Sequence, residues 1–511
     1  MRPVVLLFLV FPFLNADGCN KRFLSTGIVC VCNATYCDQI PPPNVVKGHA
    51  ALYESSKSGK RLDRSVLTSV GTQPSGDVVI TLDPSKKYQK MIGFGAAFTD
   101  ATGANLKSLP NNMANRLIQQ NFSPEGLGYT LGRVPIASCD FSTRVYSYDD
   151  VDGDFYLNNF ALVREDFQWK IPYIKMAQQF SNYKLKLIAS PWAAPGWMKT
   201  NGQMQDGGQL LGDFGGPYWQ TWTHYLIRFL EEYGKNDISF WAMTPQNEPA
   251  NGNIKGYPFQ TMFLSPEMER DFVKSLLGPA LRSSIYGKNV SIIIVDDNRN
   301  QIPTYANVIL ADIDAAVYVA GIGAHWYSDD YFGPELLTQV HNSFPDKFIL
   351  GTESCPGWQS WAVKPLLGSW DRAEQITADI IGDMNNWSTG FMDWNMALDP
   401  AAGPNWANNS ADGPIIVFAN QTEYYKQPVW YAMGHFSKFA LPNGYKIDVQ
   451  ASVKSSLQLT GFVNPDGSRV LVAFNNATDT AKTVVVKDTS NPNSYFQYSV
   501  GANTITTLYI Q

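Results

Sequence analysis

From Met91 onward the chain repeats one rhythm, a short apolar run followed by a stretch long enough for a helix. Eight such runs occur, at 92–95, 129–134, 184–189, 239–243, 290–295, 321–324, 348–350 and 390–393. Helix-length stretches such as 111–120, 169–180, 219–233, 266–284 and 372–386 separate them, and a last one at 429–439 follows an insertion rich in Pro, Gly and Asn. Strands joined through helices run parallel, because a parallel neighbour is reached only by a crossover. Eight strand–helix pairs in about 350 residues predict a (β/α)8 barrel. A doubly wound open sheet is the competing arrangement, but no Gly-rich phosphate loop opens a first helix after a strand.

Outside the barrel the pattern is all-β. Residues 48–83 contain one clear strand, Val78-Val79-Ile80-Thr81-Leu82. After Tyr445, runs at 457–463 and 470–474 flank the hairpin turn Asn464-Pro465-Asp466-Gly467, and 483–486, 495–500 and 504–510 continue the series. Each set alone makes a poor core, so the early and late strands are expected to pack as one sandwich with the barrel inserted between them. The expected division is a signal peptide over 1–16 and a small disulfide-bearing β region over 17–42, completed by a loop insertion at about 397–427. The sandwich then takes 43–88 with 444–511, and the barrel 89–396 with 428–443.

Arg2 followed by an apolar run from Val4 to Leu14 reads as a signal peptide, too short to span a bilayer, which takes ~20 residues. That places the mature chain in the secretory, lysosomal or extracellular space. Cysteine usage agrees: Cys19, Cys30, Cys32 and Cys37 crowd the mature N-terminus with no His among them, which favours two local disulfides over a metal site. Four cysteines allow three pairings, of which Cys30 with Cys32 would be strained. Seven Asn-x-Ser/Thr sequons, at Asn33, Asn121, Asn289, Asn386, Asn408, Asn420 and Asn476, predict glycosylated surface loops. A net charge of -6 without a long basic run argues against nucleic acid as partner.

Barrels of this kind place chemistry at the C-terminal ends of their strands. Those ends read Phe98-Thr99-Asp100, Arg133 and Ser138-Cys139-Asp140-Phe141, Ser190-Pro191-Trp192, Asn247-Glu248, His325-Trp326-Tyr327, Thr352-Glu353-Ser354 and Asp393-Trp394-Asn395. Two glutamates stand after the fourth and seventh strands, and Pro249 holds Glu248 out of the helical region on a stiff turn. Two carboxyls flanking one bond are what retaining glycoside hydrolysis requires, with tryptophan faces for sugar C–H groups. Asn247 could donate to a sugar 2-hydroxyl, while Asp140 and Arg133 could bind other hydroxyls or set carboxylate charge. Blander roles compete: Trp192, Trp326 and Trp394 could be rim packing, and Asp100 is expected to pair with Arg133 beneath the site. His325 reads as a satisfied buried histidine rather than a metal ligand, and Cys139 and Cys355 as buried free thiols.

Several longer motifs carry a resemblance. Gly93-Phe94-Gly95-Ala96-Ala97-Phe98-Thr99-Asp100, Arg133-Val134-Pro135-Ile136-Ala137-Ser138-Cys139-Asp140-Phe141-Ser142, Ala189-Ser190-Pro191-Trp192, Gly256-Tyr257-Pro258-Phe259-Gln260, Gly403-Pro404-Asn405-Trp406 and His435-Phe436-Ser437-Lys438-Phe439 resemble the lysosomal glucosylceramidase (acid β-glucosidase) family, across essentially the whole mature chain. The resemblance implies retaining hydrolysis of glucosylceramide to glucose and ceramide, with Glu353 as nucleophile and Glu248 as acid/base. It implies glucose contacts from Asp140, Trp192, Asn247 and Trp394, with Asn409 and Tyr327 at the same site, and disulfides Cys19–Cys30 and Cys32–Cys37. It implies no cofactor and no metal. It also implies lysosomal work on glucosylceramide at a membrane surface, aided by anionic lipid and a small sphingolipid activator protein.

The chain departs from the family pattern around its glutamates: Gln246 and Pro245 stand where Glu and Ala are expected, and Ser354 and Pro356 alter the flanks of Glu353. A carboxylate missing beside Glu248 bears on the pH optimum. Two rival functions remain, hydrolysis of another β-linked sugar on the same barrel and a catalytically silent carbohydrate- or lipid-binding protein; retention of both glutamates weighs against the second.

Overall fold

The computed structural model describes residues 18–511, so the apolar leader expected at 1–16 lies outside the described residues. Eight parallel strands close into a barrel: β1 (Gly93–Ala97), β2 (Leu131–Ile136), β3 (Lys186–Pro191), β4 (Ala242–Met243), β5 (Ser291–Asn298), β6 (Val319–His325), β7 (Phe348–Glu353) and β8 (Ser388–Asn395). They pair in chain order, and β8 closes onto β1 through Gly390 opposite Gly93. All eight expected apolar runs are barrel strands. Helices such as Asn111–Phe122, Pro217–Gly234 and Trp370–Asn385 follow them in the chain, so the strands are covered on both faces and read as apolar runs rather than as alternations.

Alternation appears instead inside the barrel. Leu131, Ile188, Ala242, Ile293, Leu350 and Met392 form one buried apolar cluster drawn from six strands. Two residues further along, the same face of β2, β3, β7 and β8 presents Arg133, Ser190, Thr352 and Trp394. A period of two thus carries β2, β3 and β7 from an apolar plug to polar side chains at the C-terminal end, and β8 to the Trp394 ring.

The strands at His49–Ser56, Asp63–Thr68 and Val78–Lys90 join those at Tyr445–Ala451, Leu457–Val463, Arg469–Asn475, Lys482–Asp488, Asn491–Val500 and Thr504–Ile510 in one nine-stranded sheet. Thr504–Ile510 pairs antiparallel with His49–Ser56, and Val78–Lys90 with Tyr445–Ala451, so the segments before and after the barrel zip together. Leu52, Ile80, Leu471, Val486, Phe496 and Leu508 share one core, so the sheet curls on itself as a sandwich. A smaller sheet pairs Lys21–Leu24 and Gly27–Asn33 with Glu423–Lys426 and Ile415–Phe418. Disulfides Cys19–Cys30 and Cys32–Cys37 staple it, the pairing that the resemblance implies.

One expectation holds and two are overturned. Cys139 and Cys355 are buried free thiols, as expected. Asp100 does not pair with Arg133: it opens the helix Asp100–Ser108 and faces Lys170 at 3.4 Å, Ser142 Oγ at 2.6 Å and the Tyr146 hydroxyl at 2.8 Å. Asn121 leaves no room for a glycan in the folded chain. It is fully buried, donates to the Leu117 carbonyl at 2.8 Å and accepts from Trp430 Nε1 at 3.1 Å. Asn289, Asn408, Asn420 and Asn476 are exposed, and Asn33 and Asn386 are half-buried.

Candidate active site

A cleft of about 300 Å³ opens at the C-terminal end of the barrel, walled by Asp140, Trp192, Asn247, Glu248, Tyr327, Glu353, Trp394 and Asn409 among others. Every residue expected to contact substrate lies here. Trp192 and Trp394 stack on each other, with centroids 5.0 Å apart and planes at 21°, and form one aromatic wall. Asn409, in the long loop after β8, donates to Asp140 Oδ2 at 2.8 Å. Trp326 is outside the cleft lining.

A carboxylate oxygen of Glu248 lies within 4.8 Å of one on Glu353, with His325 between them in the same cluster. The two glutamates are held differently. Glu353 ends β7, takes an ion pair from Arg133 and accepts the Tyr327 hydroxyl at 2.6 Å. Glu248 follows β4 on a left-handed turn, φ 43° and ψ 60°, a conformation that costs energy for any residue with a Cβ. Pro249 keeps it out of the right-handed helix, and the Glu248 amide donates to the Asp296 carbonyl at 2.9 Å. Its carboxylate meets His325 Nδ1 at 3.1 Å and accepts from Asn251 Nδ2 at 2.8 Å.

Beneath both glutamates runs a buried ionic layer. Arg133 donates to Asp296 Oδ2 at 2.7 Å, Asn247 Oδ1 at 2.8 Å and Ser190 Oγ at 3.2 Å, and its guanidinium lies 4.8 Å from the Trp192 ring centroid. Asp296 also meets His325 Nε2 at 3.1 Å and accepts Thr352 Oγ1 at 2.7 Å. Burial favours the neutral acid, but Arg133 and His325 outweigh it and hold Asp296 well below the usual carboxylate range. Burial likewise opposes charge on His325, yet Glu353, Asp296 and Glu248 raise its pKa to about 10, so the imidazolium persists through neutral pH. For Glu353 burial pushes upward, opposed by His325 and Arg133, with a net upward direction. Asp140, buried and close to the Glu353 charge, is pushed up to about 7.

Reading strand ends in the sequence passed over one of them. β5 ends in Asp296-Asp297-Asn298, and Asp296 is central to the charge layer, while Asn298 lines the cleft. The signal was available, since acids directly after an apolar run obey the rule that flagged the glutamates. Val295 (φ 72°) and Asp296 (φ 48°) are both left-handed, and the β5–β6 register slips between Val295 and Asp297. That bulge turns Asp296 toward Arg133. Tyr257 and Phe259, in a motif noted above, also wall the cleft, as do Asn251 and Trp358. Gln246 faces away: its side-chain amide donates to the carbonyls of Trp192 at 2.6 Å and Asn247 at 2.9 Å.

Residues 91–440 match the Glycosyl hydrolase family 30 TIM-barrel domain and 445–508 the Glycosyl hydrolase family 30 beta sandwich domain. The chain is 42% identical to mouse lysosomal acid glucosylceramidase over 462 residues, covering 90% of this chain and 89% of the relative. The crystal structure of SrfJ from Salmonella typhimurium superposes with a TM-score of 0.83 at 28% identity, covering 91% of this chain and 100% of SrfJ. The endo-beta1,6-glucanase BT3312 superposes with a TM-score of 0.78 at 28% identity, covering 91% and 99%. With both domains matched and two carboxyls converging at the barrel mouth, the chain belongs to glycosyl hydrolase family 30.

Proposed function

We propose that this glycoside hydrolase is a retaining β-glucosidase that cleaves glucosylceramide to glucose and ceramide. The observation that carries the mechanism is the unequal pair of glutamates, each with one carboxylate oxygen within 4.8 Å of the other's. Separations of ~5–5.5 Å between carboxyl groups favour covalent double displacement, whereas inverting enzymes leave ~6.5–9.5 Å for a water. Glu353, ion-paired to Arg133 and anchored by Tyr327, is the anionic partner and attacks the anomeric carbon. Glu248 gives its proton to the departing ceramide oxygen, then takes one from the water that releases glucose. Asn247 spends its oxygen on Arg133, which leaves its amide hydrogens for the sugar 2-hydroxyl. Asp140 with Asn409, Trp192 and Trp394 hold the remaining face of the glucose.

The substrate rests on the 42% identity to the mouse enzyme over nine-tenths of the chain, along with the shared motifs. Lysosomal residence, peripheral contact with anionic membranes, help from a small sphingolipid activator protein and a role in sphingolipid degradation belong to the same reading. Among the described residues no helix is long and apolar enough to cross a membrane. The decisive assay is the purified protein on glucosylceramide in anionic liposomes, beside a panel of aryl β-glycosides and β-1,6-linked glucan, with pH varied. Preference for glucosylceramide and aryl glucosides is expected; turnover confined to glucan or to another sugar would overturn the substrate, and none at all would revive a silent binding protein.

A further inference from the structure

Asp296 and Asp297 are neighbours at the end of β5, yet their surroundings are opposite. Asp296 has Arg133 and His325 as ion-pair partners, whereas Asp297 has no ion pair among the described residues. Asp297 is buried, with Oδ2 accepting the Ala250 amide at 3.2 Å and Oδ1 accepting the Asn298 amide at 2.6 Å. Ala250 lies two residues after Glu248, across Pro249. The Glu248 amide itself donates to the Asp296 carbonyl, and the Asn251 amide returns to the Glu248 carbonyl at 3.0 Å. The two aspartates therefore grip the left-handed turn on both sides of Glu248.

The geometry points to Asp297 as a positioning residue for Glu248: its carboxyl clamps the strained turn and sets a second buried carboxyl near the group that gives the leaving group its proton. This rests on the reading of Glu248 as acid/base. The groups facing Asp297 are Glu248 and Tyr257 from the loop after β4, His325 from β6, Glu269 from the helix Pro266–Phe272 and Tyr305 from the helix Ile302–Ala311. Of these only His325 carries positive charge. Burial, then the nearness of Glu248, push the Asp297 carboxyl up to about 7, and Glu269, buried beside both aspartates, is pushed up to about 8. Glu248 and Asp297 thus place two carboxyls in one buried region, where charge on one opposes charge on the other. Gln246, turned toward backbone carbonyls, supplies no charge at Glu248; the second carboxyl there is Asp297, from the same end of the neighbouring parallel strand. In the first step the Glu248 proton leaves on the ceramide oxygen; in the second, water returns one to Glu248.

The test compares the full-length protein with Asp297→Asn on two glucosides, an alkyl glucoside with a poor leaving group and 2,4-dinitrophenyl glucoside, whose leaving group departs without a proton. The Asn side chain still accepts from Ala250 but carries no charge. On the alkyl glucoside, kcat/KM at pH 7 is expected to fall about tenfold as the alkaline limb of the pH profile moves down by about one unit, with a smaller loss on the dinitrophenyl glucoside. An unmoved pH profile, or equal losses on both substrates, would overturn the proposal and leave Asp297 a structural residue. Asp297→Ser, neutral and smaller, answers the same question if the Asn variant does not fold. Glu248→Gln is run beside them: equal losses on both glucosides there would sink the acid/base reading itself, whereas selective loss for Glu248→Gln without it for Asp297→Asn removes only the present inference.

Discussion

Two buried arginines, Arg133 and Arg299, each face more than one carboxylate, and they solve the same problem in different ways. Arg133, in the cleft floor, faces Asp296 and Glu353, with His325 as a second cation between Asp296 and Glu248. Arg299, just past the end of β5, faces three carboxylates alone: Asp329 at 2.6 Å, Asp379 at 3.1 Å and Asp383 at 2.6 Å. At Arg133 the cations nearly match the anions, so Asp296 stays ionised and Glu353 keeps a charged partner. At Arg299 one cation cannot hold three charges in a buried site, so protons remain. Burial, then Asp379, push Asp329 up to about 10, and burial with Asp379 pushes Asp383 up to about 7. On the proposed function, the first cluster presents an anion to substrate and has a second cation; the cluster that ties the loop after β6 to the helix Trp370–Asn385 can hold protons instead.

The largest effect should come from removing the anion the first cluster exists to present. Glu353→Gln is expected to lower kcat on aryl glucosides by on the order of 10⁴-fold or more, with folding intact by circular dichroism. Substituting the arginines separates the two designs next. Arg133→Met leaves Asp296 and Glu353 buried without their guanidinium and should cost about 3–5 kcal/mol of unfolding free energy. Arg299→Met should cost clearly less at pH 5, because its aspartates can take up protons; equal losses in urea unfolding at that pH would break the comparison.

The smallest effect is a slope. The folded pKa of Asp383 is raised to about 7 from 3.8, so the folded state holds a proton that the unfolded chain releases. Stability from this group is fully present below about pH 4 and is lost as pH rises through about 7. Asp383→Asn should flatten that decline and raise Tm at pH 7 relative to the parent; a steeper decline in a pH series of thermal melts would contradict the assignment.

Much of this was legible in the amino-acid order because barrel strands are buried on both faces. Runs such as 290–295 and 348–350 therefore stand out as unbroken apolar stretches, and Glu248 and Glu353 could be found simply by looking where those runs stop. What stayed hidden depends on geometry that no local pattern encodes. Asp296 acquires its place through a bulge and two left-handed residues, which the strand's neighbours impose rather than its own propensity. Asp100 was expected to meet Arg133, but Lys170 reaches it from a π-helical turn about seventy positions away. Asn121 carries a sequon within a helix whose buried face holds it, so the motif and the fold compete and the fold prevails. Gln246, the departure from the family pattern beside Glu248, serves backbone carbonyls, and the buried carboxyl that holds the Glu248 turn is Asp297, about fifty positions later.

The central claim is that the two glutamates divide the chemistry, with Glu353 forming the bond to sugar. Incubation with an activated 2-deoxy-2-fluoro glucoside slows release of the glycosyl-enzyme and allows the labelled residue to be mapped by peptide mass spectrometry. The account predicts stoichiometric inactivation with the label on Glu353. A label on Glu248 or any other residue, or turnover with no covalent species, would contradict it.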